Sequence, residues 1–452
     1  MYHRVLVANR GEIAVRVIRA CREMGIRSVA VYSEADRDAL HVRLADEAEP
    51  IGPAKSSESY LNVSAILAAA TRRHVDAIHP GYGFLSENSH FAAVCKTWGL
   101  DFIGPEPETI ERMGSKTAAR QRMQQAGVPV VPGTAGACSE DEAVAFAAEA
   151  GYPVLVKAAA GGGGKGIRVA GSEAELRAVF GAAAREAAAS FANAELYVER
   201  YLERPRHVEF QVLADRRGHT IHLMERDSSL QRRRQKVLEE ALSPRLTPSL
   251  RAAMAEAAVE AARAVHYHGA GTVEFLVDAD DRFYFLEMNT RIQVEHPTTE
   301  LITGVDLVRE QIRAAAGEPL SVTQEDIQPR GWAVECRINA EDPARGFAPC
   351  PGTITHWRPP SGPWVRVDDG AFPGYVVQFY YDSLLCKVIT WGRDRPEAIA
   401  RMSRALAEFE VEGIETTVGM HRRLLADPEF QRGAYDTAWL EQTFMPRTLP
   451  PG

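Results

Sequence analysis

The stretch from Phe283 to Pro297 holds the densest set of residues able to do chemistry. Glu287 interrupts the apolar run Phe283-Tyr-Phe-Leu-Glu-Met-Asn289, and Glu274 interrupts Thr272-Val-Glu-Phe-Leu-Val277 in the same way. Both runs read as strands, joined by the turn sequence Asp278-Ala-Asp-Asp281. A hairpin centred between Asp280 and Asp281 sets Glu274 opposite Glu287 on one face. Opposed carboxylates repel unless a cation lies between them, and Asn289, two residues beyond Glu287, offers a further oxygen on that side. Oxygen-only ligands suit Mg²⁺ or Mn²⁺, with phosphate oxygens completing the shell. Immediately afterwards Arg291, Gln293 and Glu295 alternate, so an extended segment projects all three to one side. An arginine, an amide and a carboxylate together bind a small oxyanion while keeping a base beside it.

A second chemical feature lies upstream. The strand pattern Val154-Leu-Val-Lys157 runs into Gly161, Gly162, Gly163, Gly164, Lys165 and Gly166. Glycines let backbone N–H groups approach phosphates closely, and Lys157 and Lys165 add positive charge. The P-loop signature is absent because no Ser or Thr follows the lysine, and no Gly-x-Gly-x-x-Gly follows the first strand, which argues against a nicotinamide dinucleotide site.

These residues need a scaffold. The N-terminal region alternates strand and helix: Val5–Ala8, a helix with Ile13, Val17, Ile18 and Cys21 at helical spacing, Ser28–Tyr32, a helix over Val63–Arg73, and Ala77–His79. That alternation predicts a parallel sheet covered by helices. A smaller α+β lid is expected between larger bodies, with a helix over Glu140–Ala150 and a strand at Leu196–Glu199. Beyond Pro319, strand-like pieces at Trp332–Asn339, Thr353–Trp357 and Leu384–Thr390 precede a helix over Pro396–Glu408. A net charge of -9 argues against general nucleic-acid binding but leaves room for a local basic cleft. The six cysteines are scattered without a Cys-x-x-Cys pair, which fits reduced thiols rather than disulfides or zinc. No run approaches the ~20 apolar residues that span a bilayer, nor is there a signal peptide, so a cytoplasmic location is expected.

Taken with Ala8-Asn-Arg-Gly-Glu-Ile13, His79-Pro-Gly-Tyr-Gly-Phe-Leu-Ser-Glu-Asn88, Met113-Gly-Ser-Lys116 and Val334-Glu-Cys-Arg-Ile-Asn-Ala-Glu-Asp-Pro343, these motifs resemble the ATP-grasp enzymes, and among them the biotin carboxylase family, over essentially the whole chain. The resemblance implies an α/β and α+β fold. A Rossmann-like parallel-sheet domain would span 1–114 and an ATP-grasp domain 115–317, with a mobile lid at about 131–203. A C-terminal α+β domain would span 331–440. It implies that Lys116, Lys157 and the glycine loop contact ATP phosphates. Glu199, Arg200, Leu202, His207, Gln231, Arg234 and Leu276 would line the nucleotide pocket. Lys236, Arg291, Gln293 and the Val294 backbone would hold bicarbonate, with Glu295 as general base. Glu274, Glu287 and Asn289 would bind the metal, and Arg337 and Tyr82 would face biotin. Arg234 departs from the family's usual histidine. Without a Met-Lys-Met attachment context, biotin is expected on a separate carboxyl carrier protein, alongside carboxyltransferase subunits of acetyl-CoA carboxylase or a related enzyme. A homodimer through Arg16, Arg19, Glu23 and Arg366 is also implied, although Pro363 replaces a common aromatic. Another ATP-grasp ligase, or a non-catalytic nucleotide-binding subunit, remains the alternative.

Overall fold

The structure, a computed structural model, describes residues 1–159, 167–191 and 193–448. Near the N-terminus, strands Glu47–Gly52, Arg27–Ser33, Arg4–Val7, Ala77–His79 and Asp101–Phe102 lie side by side in that order, all parallel. Period-two alternation in the central strand feeds two cores. Val5 and Val7 pack with Ile13 and Val17 of helix Gly11–Glu23 on one face. Leu6 packs with Ile66 and Leu67 of helix Val63–Arg72 on the other. A sheet buried on both faces needs such continuous apolar strands.

The larger part of the scaffold is one antiparallel sheet of eight strands. Its order is Phe283–Asn289, Gly269–Val277, Arg206–Ala214, Thr220–Arg232, Gln235–Ala241, Trp332–Asn339, Leu384–Gly392 and Val365–Asp369. Sequence blocks on either side of residue 320 therefore share a single sheet, joined where Leu238 pairs with Cys336 and Glu239 with Glu335. A third sheet, Arg168–Ala170, Val154–Ala158 and Leu196–Arg200, carries helices Glu140–Ala150 and Glu173–Phe191. Its core is built mainly from alanine and valine.

Two local expectations change. The segment read as one strand over Thr353–Trp357 is split into Gly352–Thr353 and His356–Arg358, which pair with different partners. Between them Ile354 turns wholly into the core. In the acidic hairpin, Glu274 does face Glu287, but the turn is centred on Asp280, with Val277 opposite Phe283. A bulge beside Phe275 restores the pairing of the two glutamates. Among the described residues no helix is long and apolar enough to cross a membrane.

Candidate active site

A cavity of about 1370 Å³ opens between the parallel sheet, the small three-stranded sheet and the large sheet. It brings together Tyr82, Lys116, Lys157, Glu199, Arg200, Leu202, His207, Gln231, Arg234, Lys236, Glu274, Leu276, Glu287, Asn289, Arg291, Gln293, Val294, Glu295 and Arg337. Gly162, Gly163, Gly164, Lys165 and Gly166 lie outside the described residues.

At one end, Glu295 is gripped by two cations. Lys236 Nζ donates to its Oε1 at 2.6 Å, and Arg337 Nη2 donates to its Oε2 at 3.0 Å. The same ammonium reaches Glu274 at 2.9 Å and also Glu209, while Arg337 Nε donates to Glu239 at 2.7 Å. Behind them lies Arg226, fully buried, with an acceptor for every guanidinium N–H. Its partners are Glu209 at 2.6 Å, Gln211 at 2.8 Å, Thr299 at 2.9 Å, Gln293 at 2.6 Å and Thr272 at 3.1 Å. Three cations thus serve the four carboxylates Glu209, Glu239, Glu274 and Glu295. Burial alone would push the Glu295 carboxyl up, but Lys236, Arg337 and Arg226 hold it well below the ordinary range. Glu239 shifts the opposite way: burial outweighs Arg337 and, with Glu295 nearby, pushes it up to about 7.

The segment bearing Arg291, Gln293 and Glu295 is not extended throughout, because residues 294–295 form a turn into helix His296–Thr303. Its side chains therefore diverge. Arg291 donates to Glu87 at 2.8 Å and to Asn289 Oδ1 at 3.0 Å. Gln293 bridges Arg226 and Glu274. The Val294 carbonyl accepts from Lys387 at 2.8 Å. Ile292 points the other way, into the core beneath the parallel sheet.

Around the proposed metal ligands, Asn289 donates its amide N–H to Glu274 at 2.9 Å, and its oxygen accepts from Arg291 at 3.0 Å. Glu274 and Glu287 themselves fit a hard cation: both are oxygen donors, and burial plus the Glu274 charge push the Glu287 carboxyl up, a penalty that a cation would relieve. His207, Glu209 and Glu274 also place ligand atoms within 4.8 Å of one another, but the Lys236 ammonium already bonds to both carboxylates there.

The other end of the cavity is differently charged. Lys116 opens helix Lys116–Gln125, capped by Ser115, and burial pulls its ammonium down. Lys157, at the end of its strand, is ion-paired with Glu199, and Arg120 stands 4.0 Å from that same carboxylate. His207 pairs with Glu274 at 2.8 Å and with Gln231 at 2.6 Å. Arg200 donates to Tyr284 at 2.8 Å, and Arg234 sits in a tight turn at φ 66°.

Of the residues assigned to a dimer face, Arg16 and Arg366 are both engaged within the chain through Glu300, at 2.9 and 2.6 Å, while Arg19 and Glu23 are exposed. Sequence reasoning missed Arg226, Glu209, Glu239, Arg120 and Lys387. A signal existed for one of them: His207, Glu209 and Gln211 alternate with Val208, Phe210 and Val212, which marks a strand with one polar buried face.

Three family profiles match in sequence order. They are described as "Biotin carboxylase, N-terminal domain" over residues 1–110, "Carbamoyl-phosphate synthase L chain, ATP binding domain" over 115–323, and "Biotin carboxylase C-terminal domain" over 335–442. The chain is 57% identical to Biotin carboxylase 1 of Bacillus subtilis, covering 98% of each. It is 54% identical to a pyruvate carboxylase subunit from Methanothermobacter thermautotrophicus, covering 98% of this chain and 90% of the relative. In three dimensions it resembles the biotin carboxylase domain dimer of Hydrogenobacter thermophilus 2-oxoglutarate carboxylase, solved with MgADP, ADP and bicarbonate. That match has a TM-score of 0.93 and 49% identity, with 98% of each chain covered. The fold is that of the ATP-grasp enzymes. Within them, the chain belongs to the biotin carboxylase family.

Proposed function

We propose that this chain carboxylates biotin, using bicarbonate and ATP, by way of carboxyphosphate. The observation that supports it most is Glu295 held between Lys236 and Arg337 at the floor of the shared cavity. Those contacts are exchangeable. A bicarbonate anion arriving beside Glu295 competes for Lys236 while Arg291 and the Gln293 amide help to hold it, and the Lys236 bond that is transferred raises the basicity of Glu295. Glu295 then takes the bicarbonate proton, and the freed oxygen attacks the γ-phosphate in line, forming a new O–P bond as ADP leaves. Mg²⁺ or Mn²⁺ held by Glu274 and Glu287 would neutralise charge on the phosphates. Lys116, Lys157 and Lys165 share that work.

Carboxyphosphate breaks its C–O bond to give CO₂ and phosphate. The phosphate accepts the N1′ proton of biotin, and Arg337 steadies the negative charge on the ureido oxygen while N1′ attacks CO₂. Tyr82, which lines the same cavity, would face the biotin. A closed lid keeps water from the intermediate. Biotin would arrive on a carboxyl carrier protein, and the final acceptor would be chosen by a partner carboxyltransferase; relatives named for pyruvate and 2-oxoglutarate carboxylation fit several acceptors. We place the enzyme in the cytoplasm as a homodimer. The test is ATP hydrolysis by the purified chain, with and without bicarbonate and free biotin. Hydrolysis that requires bicarbonate and rises with biotin supports the proposal; hydrolysis indifferent to bicarbonate would overturn it.

A further inference from the structure

We infer that Lys387 is a positioning residue for the carboxylating end of the cavity; this rests on the function proposed above. Lys387 lies on strand Leu384–Gly392, directly opposite Arg337 on the neighbouring strand, and its side chain is wholly buried. Its ammonium donates to the Val294 carbonyl at 2.8 Å and lies 3.1 Å from Glu12 Oε2. Glu12 in turn accepts from the Tyr82 hydroxyl through its other oxygen. One buried cation therefore ties together the peptide that precedes Glu295, the tyrosine on the biotin side and the N-terminal helix Gly11–Glu23.

Packing alone does not call for a charge here. Burying an ammonium costs several kcal/mol, and a methionine would fill the same space without that cost. What only the ammonium supplies is a donor that fixes the plane of the Val294–Glu295 peptide, and so the point from which the Glu295 carboxylate projects. On its C-terminal side Glu295 is held by the helix His296–Thr303, whose Thr298 donates to the Glu295 carbonyl. Lys387 holds the peptide on the N-terminal side, so the two together set the base from both directions. Displacement of a base by about 1 Å costs up to ~100-fold in rate.

A plain structural tie between domains is the competing reading, and kinetics separate the two. The decisive variant is the pair Glu12→Gln/Lys387→Met, which removes the Glu12–Lys387 ion pair as a unit, leaves Asp368 its Arg366 partner and keeps an oxygen for Tyr82, but deletes the donor to Val294. It should retain the wild-type KM for ATP, raise the KM for bicarbonate several-fold, and lower kcat for carboxylation of free biotin at least about tenfold. Lys387→Arg should recover part of that loss. Asp368→Asn perturbs the same ionic cluster from 3.9 Å, where Asp368 is paired with Arg366, and should leave both KM values unchanged. If the folded pair variant keeps kcat and the bicarbonate KM within twofold of wild type, or if its ATP KM shifts equally, the inference is overturned. Should the pair variant fail to fold, Lys387→Arg decides alone: a bicarbonate KM shifted without the ATP KM supports positioning, and neither shifted overturns it. A wild-type chain without bicarbonate-dependent hydrolysis marks failure of the underlying function instead.

Discussion

The two ends of the cavity solve the same electrostatic problem in opposite ways. At the end that holds Glu295, Lys236 and Arg337 are paired with Glu209, Glu239, Glu274 and Glu295, and Arg226 with Glu209, on or beside the eight-stranded sheet. At the nucleotide end, Lys116 makes no ion pair among the described residues, and burial pulls its charge down, so that an anionic ligand would restore it. The first end is organised before substrate arrives. On the function proposed above, the second would be completed at Lys116 by the polyphosphate it binds. A small, unstable intermediate needs fixed geometry, whereas a large ligand brings enough charge to arrange its own contacts.

If the ends are independent in this sense, Glu295→Ala should abolish biotin carboxylation by about 10²- to 10⁴-fold while calorimetric binding of MgATP stays unchanged. Equal loss of nucleotide affinity would break the contrast. Next in size, Arg226→Met should cost about 3–5 kcal/mol in urea unfolding, because Glu209 is left buried with less compensation. A loss under 1 kcal/mol would mean that the rigid end is not held by this hub. Lys116→Ala should raise the KM for ATP roughly tenfold or more, in line with a charge-assisted hydrogen bond, without moving the KM for bicarbonate.

The smallest effect concerns acid. His421 donates to the Arg337 carbonyl at 2.8 Å, and burial pulls its pKa down to about 4. The folded chain keeps it neutral while the unfolded chain protonates it near 6.5, so stability falls as pH drops from about 6.5 towards 4. At pH 5.5 this amounts to about 1.4 kcal/mol, and His421→Gln should flatten the acid limb of the unfolding curve by that much.

Where the sequence was legible, a short period made it so. Glu274 and Glu287 can be paired because side chains alternate along strands, and the bulge beside Phe275 makes up for a turn centred half a residue from the expected point. Arg291, Gln293 and Glu295 are recognisable by type, but their path is not, because the helix that begins at His296, with Pro297 in its first turn, bends the chain at 294–295. The buried partners stay hidden for another reason. Glu239, Glu335 and Lys387 are adjacent only through pairings between strands far apart in sequence, and a lone charge in an apolar strand reads as a surface residue until its neighbours are known.

The unbroken large sheet has a practical consequence for cutting this protein apart. A split gene divided in the connection at residues 316–331 would place Glu295 on one fragment and Arg337 on the other. Each fragment would also carry a raw strand edge, Gln235–Ala241 or Trp332–Asn339, with its hydrogen-bonding groups open to any passing strand. Such halves would have to be born together to find each other before aggregating, and their activity on reassembly would report directly on that single seam.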